Sequence, residues 1–403
     1  MTKKLNYPLL NNAFNQKDID VGVKVLKSRF ITMSKITKEF ELFFAKKMGS
    51  KYAVMTNSGS SANLLAVSCL TNPLSKKKLA DNDEVIIPAI CWSTSLWPII
   101  QNNLKPVFTD VTLDTFNIDI DKIEEKITKR TKAIMIVHVL GTSANMVKLM
   151  KLVKKYKLYL IEDTCESLGA EYNNKKLGTI GRFGTYSFYY SHQITSGEGG
   201  MIVCDDVKDY NILKSLRSHG WSRDTTLHNK FKNKYKKLDD RFLFIGPGYN
   251  VRPTEVQAAM ALNQFKRLPT FIQIRDQNRN RIIQNLKNHK NWKNQFTFVG
   301  IDKDIKPSWF GLPILINDKY AHIKKVFLKH LTKKGIENRP IISGNFLNQP
   351  ASKLYKFKYK RDDFINSEKI ERQGFFIGLH TQKITTQNVN MITENLLSIN
   401  KFI

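Results

Sequence analysis

Three short stretches of the chain carry residue types whose order could do chemistry. The first is Asn57-Ser58-Gly59-Ser60-Ser61-Ala62-Asn63, set between an apolar run and a helical pattern. Small residues there let the backbone close on a ligand, and the free N–H groups and hydroxyls of a helix start suit a phosphate. The same residues also spell an ordinary serine cap in a tight turn. The second is Leu160-Ile161-Glu162-Asp163-Thr164-Cys165-Glu166-Ser167, an apolar run that ends in carboxylates. An Asp so placed could hold the positive charge of a protonated ring nitrogen, or could be a solvated loop carboxylate. The third is Ser187-Phe188-Tyr189-Tyr190-Ser191-His192-Gln193-Ile194-Thr195-Ser196-Gly197-Glu198-Gly199-Gly200-Met201. It delivers Ser187 and His192 into a turn before a glycine-rich loop, where another group can approach closely. His192 could serve as a base near neutral pH or be a satisfied surface imidazole.

The elements that must position these stretches follow from the hydrophobic pattern. Short β-branched runs predict strands at Tyr52–Thr56, Glu84–Pro88, Pro106–Asp110, Ala133–Leu140, Leu158–Asp163, Thr185–Tyr190 and Gly200–Cys204. Between them, Ala62–Leu70, Met146–Tyr156 and Val207–Ser218 repeat apolar residues at helical spacing. Strand and helix in alternation predict an α/β fold with a mostly parallel sheet covered by helices. Ligands of such sheets bind outside the carboxyl ends of the strands, where all three stretches fall. A basic, polar segment from Ser222 to Arg241 interrupts the pattern and reads as a long excursion or mobile arm. A helix then follows from Pro253 to Leu268. The expected division is a large domain over 1–265 and a smaller C-terminal α+β domain over 266–403.

Composition narrows the class. The 403 residues are 41% hydrophobic and 25% charged, which fits a soluble globular protein rather than a disordered one. No apolar run is long enough to span a membrane, and the start MTKKLNYPLL lacks the apolar core of a secretory signal, so a cytoplasmic location is expected. Four cysteines, Cys69, Cys91, Cys165 and Cys204, fit neither a disulfide framework nor a zinc or iron–sulfur site. The formal net charge of +30 is mostly diffuse, densest at Lys230 to Lys237. It reads as compositional drift or as a positive rim steering an anionic ligand, without a nucleic-acid motif.

Taken together and in this order, the three stretches resemble the DegT/DnrJ/EryC1/StrS sugar aminotransferase family of fold-type I pyridoxal-phosphate enzymes. The resemblance extends from Thr32-Met33 and Phe40-Glu41 to Gly248-Tyr249-Asn250-Val251-Arg252-Pro253. It implies an aspartate aminotransferase-like architecture, a seven-stranded sheet in the large domain, and a homodimer with shared active sites. In the family's aminotransferases a lysine stands six residues before the Glu of Gly-Glu-Gly-Gly and tethers the cofactor. Here His192 stands six residues before Glu198, so the loop aligns without a gap and the amine is missing. Imidazole cannot form an imine, but it can act as base and acid.

That departure resembles the family's 3-dehydratase branch, which holds pyridoxamine phosphate without a covalent bond and regenerates it from pyridoxal phosphate with glutamate. The resemblance implies a nucleotide-linked 4-keto-6-deoxyhexose as substrate, GDP-4-keto-6-deoxy-D-mannose being the expected one, on the way to a dideoxysugar of lipopolysaccharide O-antigen. A related branch that adds a [2Fe–2S] cluster needs clustered cysteines after residue 204, where this chain has none, so no iron–sulfur cluster is expected. The alternatives are a nucleotide-sugar 4-aminotransferase in which His192 replaces the lysine, and a non-catalytic cofactor-binding protein.

Carried over residue by residue, the resemblance implies His192 and His219 as catalytic groups. Asp163 would pair with the ring nitrogen, Trp92 would stack on the ring, and Gly59, Ser60 and Ser187 would bind the phosphate. Glu166 would lie beside the ring hydroxyl, and Asn250 would reach the phosphate of the neighbouring subunit. Arg339 and Asn345 would close over the hexose. Two positions depart from relatives: Thr142-Ser143 stands where a proline is usual, and Gln193 follows His192 where some carry a second His.

Overall fold

The computed structural model describes residues 5–75 and 77–402; Met1 to Lys4, part of the start read above for a signal, lie outside the described residues. The chain opens with helices α1 (Gln16–Lys27) and α2 (Lys35–Met48) and then builds a seven-stranded sheet. Its first five strands are β1 (Tyr52–Thr56), β2 (Glu84–Pro88), β3 (Lys105–Thr109), β4 (Thr131–Val137) and β5 (Tyr159–Asp163). A short hairpin, β6 (Glu171–Tyr172) and β7 (Lys175–Lys176), precedes β8 (Phe183–Ser187) and β9 (Gly200–Cys204). The order across the sheet is β1-β9-β8-β5-β4-β2-β3. The strands from β8 to β3 are parallel, and β9 runs against both of its neighbours.

Buried on both faces, the central strands read as continuous apolar runs, such as Ala133-Ile134-Met135-Ile136-Val137 in β4. Helix α3 (Gly59–Thr71) is buried nearly all round, which its apolar sequence after Ala62 requires. Helices α4 (Ser93–Gln101) and α6 (Val207–Arg217) pack beside α3, while α5 (Met146–Tyr156) covers Ile86, Ile134 and Ile136 on the opposite face. Phe40 and Phe44 of α2 meet Tyr186 and Phe188 at the end of β8 and Phe265 of α8 (Glu255–Phe265).

Several predicted bounds shift for local reasons. Strand β4 stops at Val137, because Leu140 is left-handed at φ 50° and residues Val139–Gly141 form a tight helical turn. Strand β8 ends at Ser187, three residues before the expected Tyr190, as the chain turns so that His192 N donates to Tyr189 O. Helix α8 starts at Glu255 rather than Pro253, set by a capping box between Thr254 and Gln257. The basic excursion holds a short helix, α7 (His228–Lys234), and closes at its base through Ser222 N donating to Leu243 O and a bridge between Trp221 and Phe244.

Helix α9 (Leu268–Lys287) leads to a second sheet, β10 (Phe296–Phe298), β12 (Gly311–Ile316), β14 (Gly374–Gly378) and β13 (Asn338–Arg339) in that order, while β11 (Ile305–Lys306) joins the β6–β7 hairpin. The N-terminal residues return to this second sheet region: Tyr7 N donates to Gly335 O, Glu337 N to Tyr7 O, and Leu9 N to Glu337 Oε2. The segment before Trp92 is pinned to the C-terminal part, with Phe346 N donating to Ala89 O and Ser343 Oγ to Cys91 O.

Candidate active site

A cavity of about 570 Å³ opens at the carboxyl ends of the parallel strands, where the topology rule places a ligand. The start of α3 forms one wall. Ser58 caps that helix by accepting from Ser61 N at 3.1 Å, and the first-turn N–H groups of Gly59 and Ser60 have no acceptor within the helix. Gly59 is required there, since a Cβ on it would lie 2.6 Å from Ser187 Cβ. Ser60 Oγ donates to Thr94 Oγ1 at 2.9 Å, which brings the start of α4 beside the start of α3. Gly59, Ser60, Ser187 and Thr94 thus make a small-residue cradle for an anion.

Asp163, at the end of β5, is 4% exposed and fixed by its neighbours. Its Oδ2 accepts from Asn63 Nδ2 at 2.8 Å and Ser95 Oγ at 2.7 Å, and its Oδ1 from Cys165 N at 3.1 Å. A carboxylate held this way faces the cavity and suits a cationic ring nitrogen. Trp92 precedes α4 and is 55% exposed, a large aromatic face turned to the cavity rather than packed in the core. Glu166 Oε2 accepts from Leu140 N at 3.1 Å, and burial pushes its carboxyl up to about 7.

His192 forms another part of the wall. Its Nδ1 is buried without a hydrogen-bond partner, and its ring meets Phe310 edge-on with centroids 5.0 Å apart. Burial, and after it the charge of Arg275, pushes the imidazole down to about 3, so in the ligand-free cavity the ring is held neutral. No lysine lines this cavity among the described residues. Gln193 donates through Nε2 to Glu166 O and, at 3.0 Å, to Ser308 O, so it anchors the histidine's loop. Thr142, at the position of the usual proline, donates to Val139 O at 3.0 Å and accepts from Asn117.

The structure therefore brings Gly59, Ser60, Trp92, Asp163, Glu166, Ser187, His192 and Arg339 around one cavity. Arg339 is held by Glu337, with Nη2 to Oε1 at 2.6 Å. Asn345 is a correction: it does not line the cavity, being 1% exposed, with its side chain accepting from Leu347 N and donating to Glu368 Oε1. Its place at the start of a tight helical turn decides this, and it shapes the loop after Arg339 instead. His219 and Asn250 lie apart from their own chain's cavity. His219 is left-handed at φ 60° and packs against Trp221, while exposed Asn250 accepts from Arg252 Nε at 3.1 Å. Thr94, Tyr189, Ser191 and Glu198 also line the cavity; all lie in the stretches quoted above or beside Trp92, but nothing in their residue types marked them.

The polar end with its helix start, the flat aromatic face, the ring-nitrogen carboxylate and the unpartnered imidazole nitrogen fit a pyridoxal or pyridoxamine phosphate. Residues 13–397 match the model of the DegT/DnrJ/EryC1/StrS aminotransferase family. The GDP-4-keto-6-deoxy-D-mannose 3-dehydratase of Escherichia coli O55:H7 is 39% identical over 381 residues, covering 93% of this chain and 96% of that protein. A solved E. coli structure of an enzyme of that name with bound hydrated PLP superposes with a TM-score of 0.89 at 37% identity, covering 98% of this chain and 100% of the other. A second, with a trapped PLP–glutamate geminal diamine, gives 0.88 at 37% identity, covering 97% and 100%. With its fold and nearly its whole length matched, this chain belongs to the DegT/DnrJ/EryC1/StrS aminotransferase family.

Proposed function

We infer that this chain is a 3-dehydratase of a nucleotide-linked 4-keto-6-deoxyhexose, GDP-4-keto-6-deoxy-D-mannose by its resemblance to the E. coli enzyme, using pyridoxamine phosphate renewed from pyridoxal phosphate and glutamate. The observation that carries this is His192, its Nδ1 buried and unpartnered, on the wall of a cavity that no lysine lines among the described residues. When bound, the cofactor supplies an amine that captures the sugar's C4 ketone and a ring that accepts the electron pair left when a proton departs.

The chain's own residues then have separable tasks. The start of α3 with Ser187 binds the phosphate, and Trp92 covers a ring face. Asp163 holds a proton on the ring nitrogen, which keeps the ring electron-poor. Glu166, protonated over part of the neutral range, donates a hydrogen bond to the ring oxygen. His192 takes a proton at its imidazole nitrogen and can deliver it to the departing C3 hydroxyl, so the same group acts as base and acid. Leu9, Phe310 and Phe376 give the cavity an apolar part of its lining. Arg339 contacts the sugar nucleotide.

Asn250, which does not line its own chain's cavity, would reach the neighbouring subunit's phosphate in a homodimer, whereas His219 lies outside the cavity it was expected to serve. The chain has two units meeting near residue 265, residues 5–10 being counted with the C-terminal one because Tyr7 is hydrogen-bonded there. No helix among the described residues is long and apolar enough to cross a membrane. The test is incubation with pyridoxal phosphate, glutamate and GDP-4-keto-6-deoxy-D-mannose. Free ammonia with a 3-deoxy sugar is the expected outcome, and a stable amino sugar would instead establish a transaminase.

A further inference from the structure

Behind the cavity lies an arginine without a counter-ion. Arg275, on α9, is 1% exposed, and no carboxylate pairs with it among the described residues. Its Nη1 donates to Trp309 O at 3.1 Å and its Nη2 to His192 O at 3.3 Å, while Nε is buried and unpartnered. The phenol of Tyr7 offers no negative charge, since burial raises its pKa. Holding an unpaired guanidinium in a protein interior is unfavourable, and such groups persist where the surrounding structure uses them.

What this one uses is its two acceptors. Trp309 is fully buried and is seized from α9 three times, by Arg275 on its carbonyl, by Asp276 Oδ1 accepting its indole N–H at 3.0 Å, and by Arg279 over its ring at 4.3 Å. The next residue, Phe310, places its ring edge-on to His192. One guanidinium therefore fixes the backbone on both sides of the ring contact that aims the imidazole.

We propose that Arg275 is a positioning residue for His192: by bridging the carbonyls of His192 and Trp309 it sets the direction from which the imidazole meets a cofactor that no covalent bond holds in place. This rests on His192 being the proton-transferring group. Five further charged groups face His192: Asp163, Glu166, Glu198 and Arg339 across the front cavity, and Arg267 across a second cavity of about 500 Å³ behind it. Arg275 is nearest through the backbone and adds its charge to burial in keeping the ring neutral.

The test compares Arg275→Gln and Arg275→Lys with the parent protein. Three quantities are read: kcat for 3-deoxy product with pyridoxamine phosphate at saturation, the cofactor Kd, and the titration midpoint of the His192 ring by NMR in ligand-free protein. For Arg275→Gln, kcat falls about ten- to a hundredfold, as a misplacement of about 1 Å would give, while Kd stays within about threefold. The ring midpoint rises toward its ordinary value, burial still holding it low. Arg275→Lys keeps the charge but cannot span both carbonyls, so the midpoint stays near the parent's and only part of kcat returns.

An unmoved midpoint in Arg275→Gln, or a fall of kcat and cofactor affinity together, would mean a merely structural arginine. If Arg275→Gln does not fold, Arg275→Lys decides alone: parental kcat overturns the proposal, and reduced kcat at unchanged Kd supports it. His192→Asn separates the two ideas. Activity retained in His192→Asn removes the role of the histidine itself, whereas an inactive His192→Asn beside a fully active Arg275→Gln removes only the role of the arginine.

Discussion

Replacing Gly59 with alanine adds one methyl group where the start of α3 touches the sheet. The new Cβ would lie 2.6 Å from Ser187 Cβ and 2.9 Å from Cys165 Sγ. Carbon atoms rest comfortably at about 3.5–4.0 Å, so the first turn of the helix must withdraw by about 1 Å. A hydrogen bond from its N–H groups to a phosphate oxygen, stretched by that amount, falls outside bonding distance. Bonds to charged groups contribute about 1.5–3 kcal/mol each, so losing one weakens cofactor binding by that amount, about 10- to 150-fold in Kd. Overpacking itself destabilises the ligand-free protein by about 1–3 kcal/mol. The assay is a pyridoxal phosphate titration followed by the absorbance of bound cofactor, beside thermal melting of ligand-free protein. A variant that melts lower yet binds the cofactor within about threefold of the parent would refute the phosphate cradle.

Three other perturbations bear on the same cavity. Asp163→Asn keeps a similar shape but removes the charge that holds a proton on the ring nitrogen, and kcat should fall about a hundredfold or more with a smaller change in Kd, as seen in steady-state rates at saturating cofactor. Trp92→Ala removes an exposed ring face, so cofactor Kd should rise about tenfold while the melting temperature hardly moves. Glu166 has its pKa raised to about 7, so the folded state takes up a proton more readily than the unfolded chain; its contribution is neutral below about pH 4.5 and destabilising as pH rises through 7. Glu166→Gln should therefore stabilise the ligand-free protein at pH 8 relative to pH 5, by on the order of 1–2 kcal/mol in paired denaturant melts.

The sheet was legible because its strands, the edge strand β1 included, are mostly buried and so mostly apolar: Tyr52–Thr56, Glu84–Pro88 and Gly200–Cys204 match β1, β2 and β9 at both ends. The errors fall where the backbone leaves the strand for a reason that residue type does not carry. Leu140 adopts a left-handed conformation although its sequence continues an apolar run, and the turn at Tyr189 is set by a backbone bond to His192. The cavity was legible because its parts sit in strand-end motifs, Gly59-Ser60, Asp163 and Ser187, each within a few residues of a strand. Asn345 was misplaced because an Asn in a loop can as easily cap a turn as face a ligand, and here it caps. Asn63 and Ser95, which orient Asp163, and Arg275, which reaches His192 from the other side of residue 265, are brought in only by packing.

The most direct measurement is borohydride reduction of the protein loaded with pyridoxal phosphate, read by intact mass and peptide mapping, with a parallel sample given glutamate first. A cavity built around His192 instead of an amine predicts no cofactor fixed to the chain in either sample and, after glutamate, loss of the aldehyde absorbance with the amine cofactor freely removable by dialysis. A reduced adduct on any lysine of the chain would contradict the account at its centre.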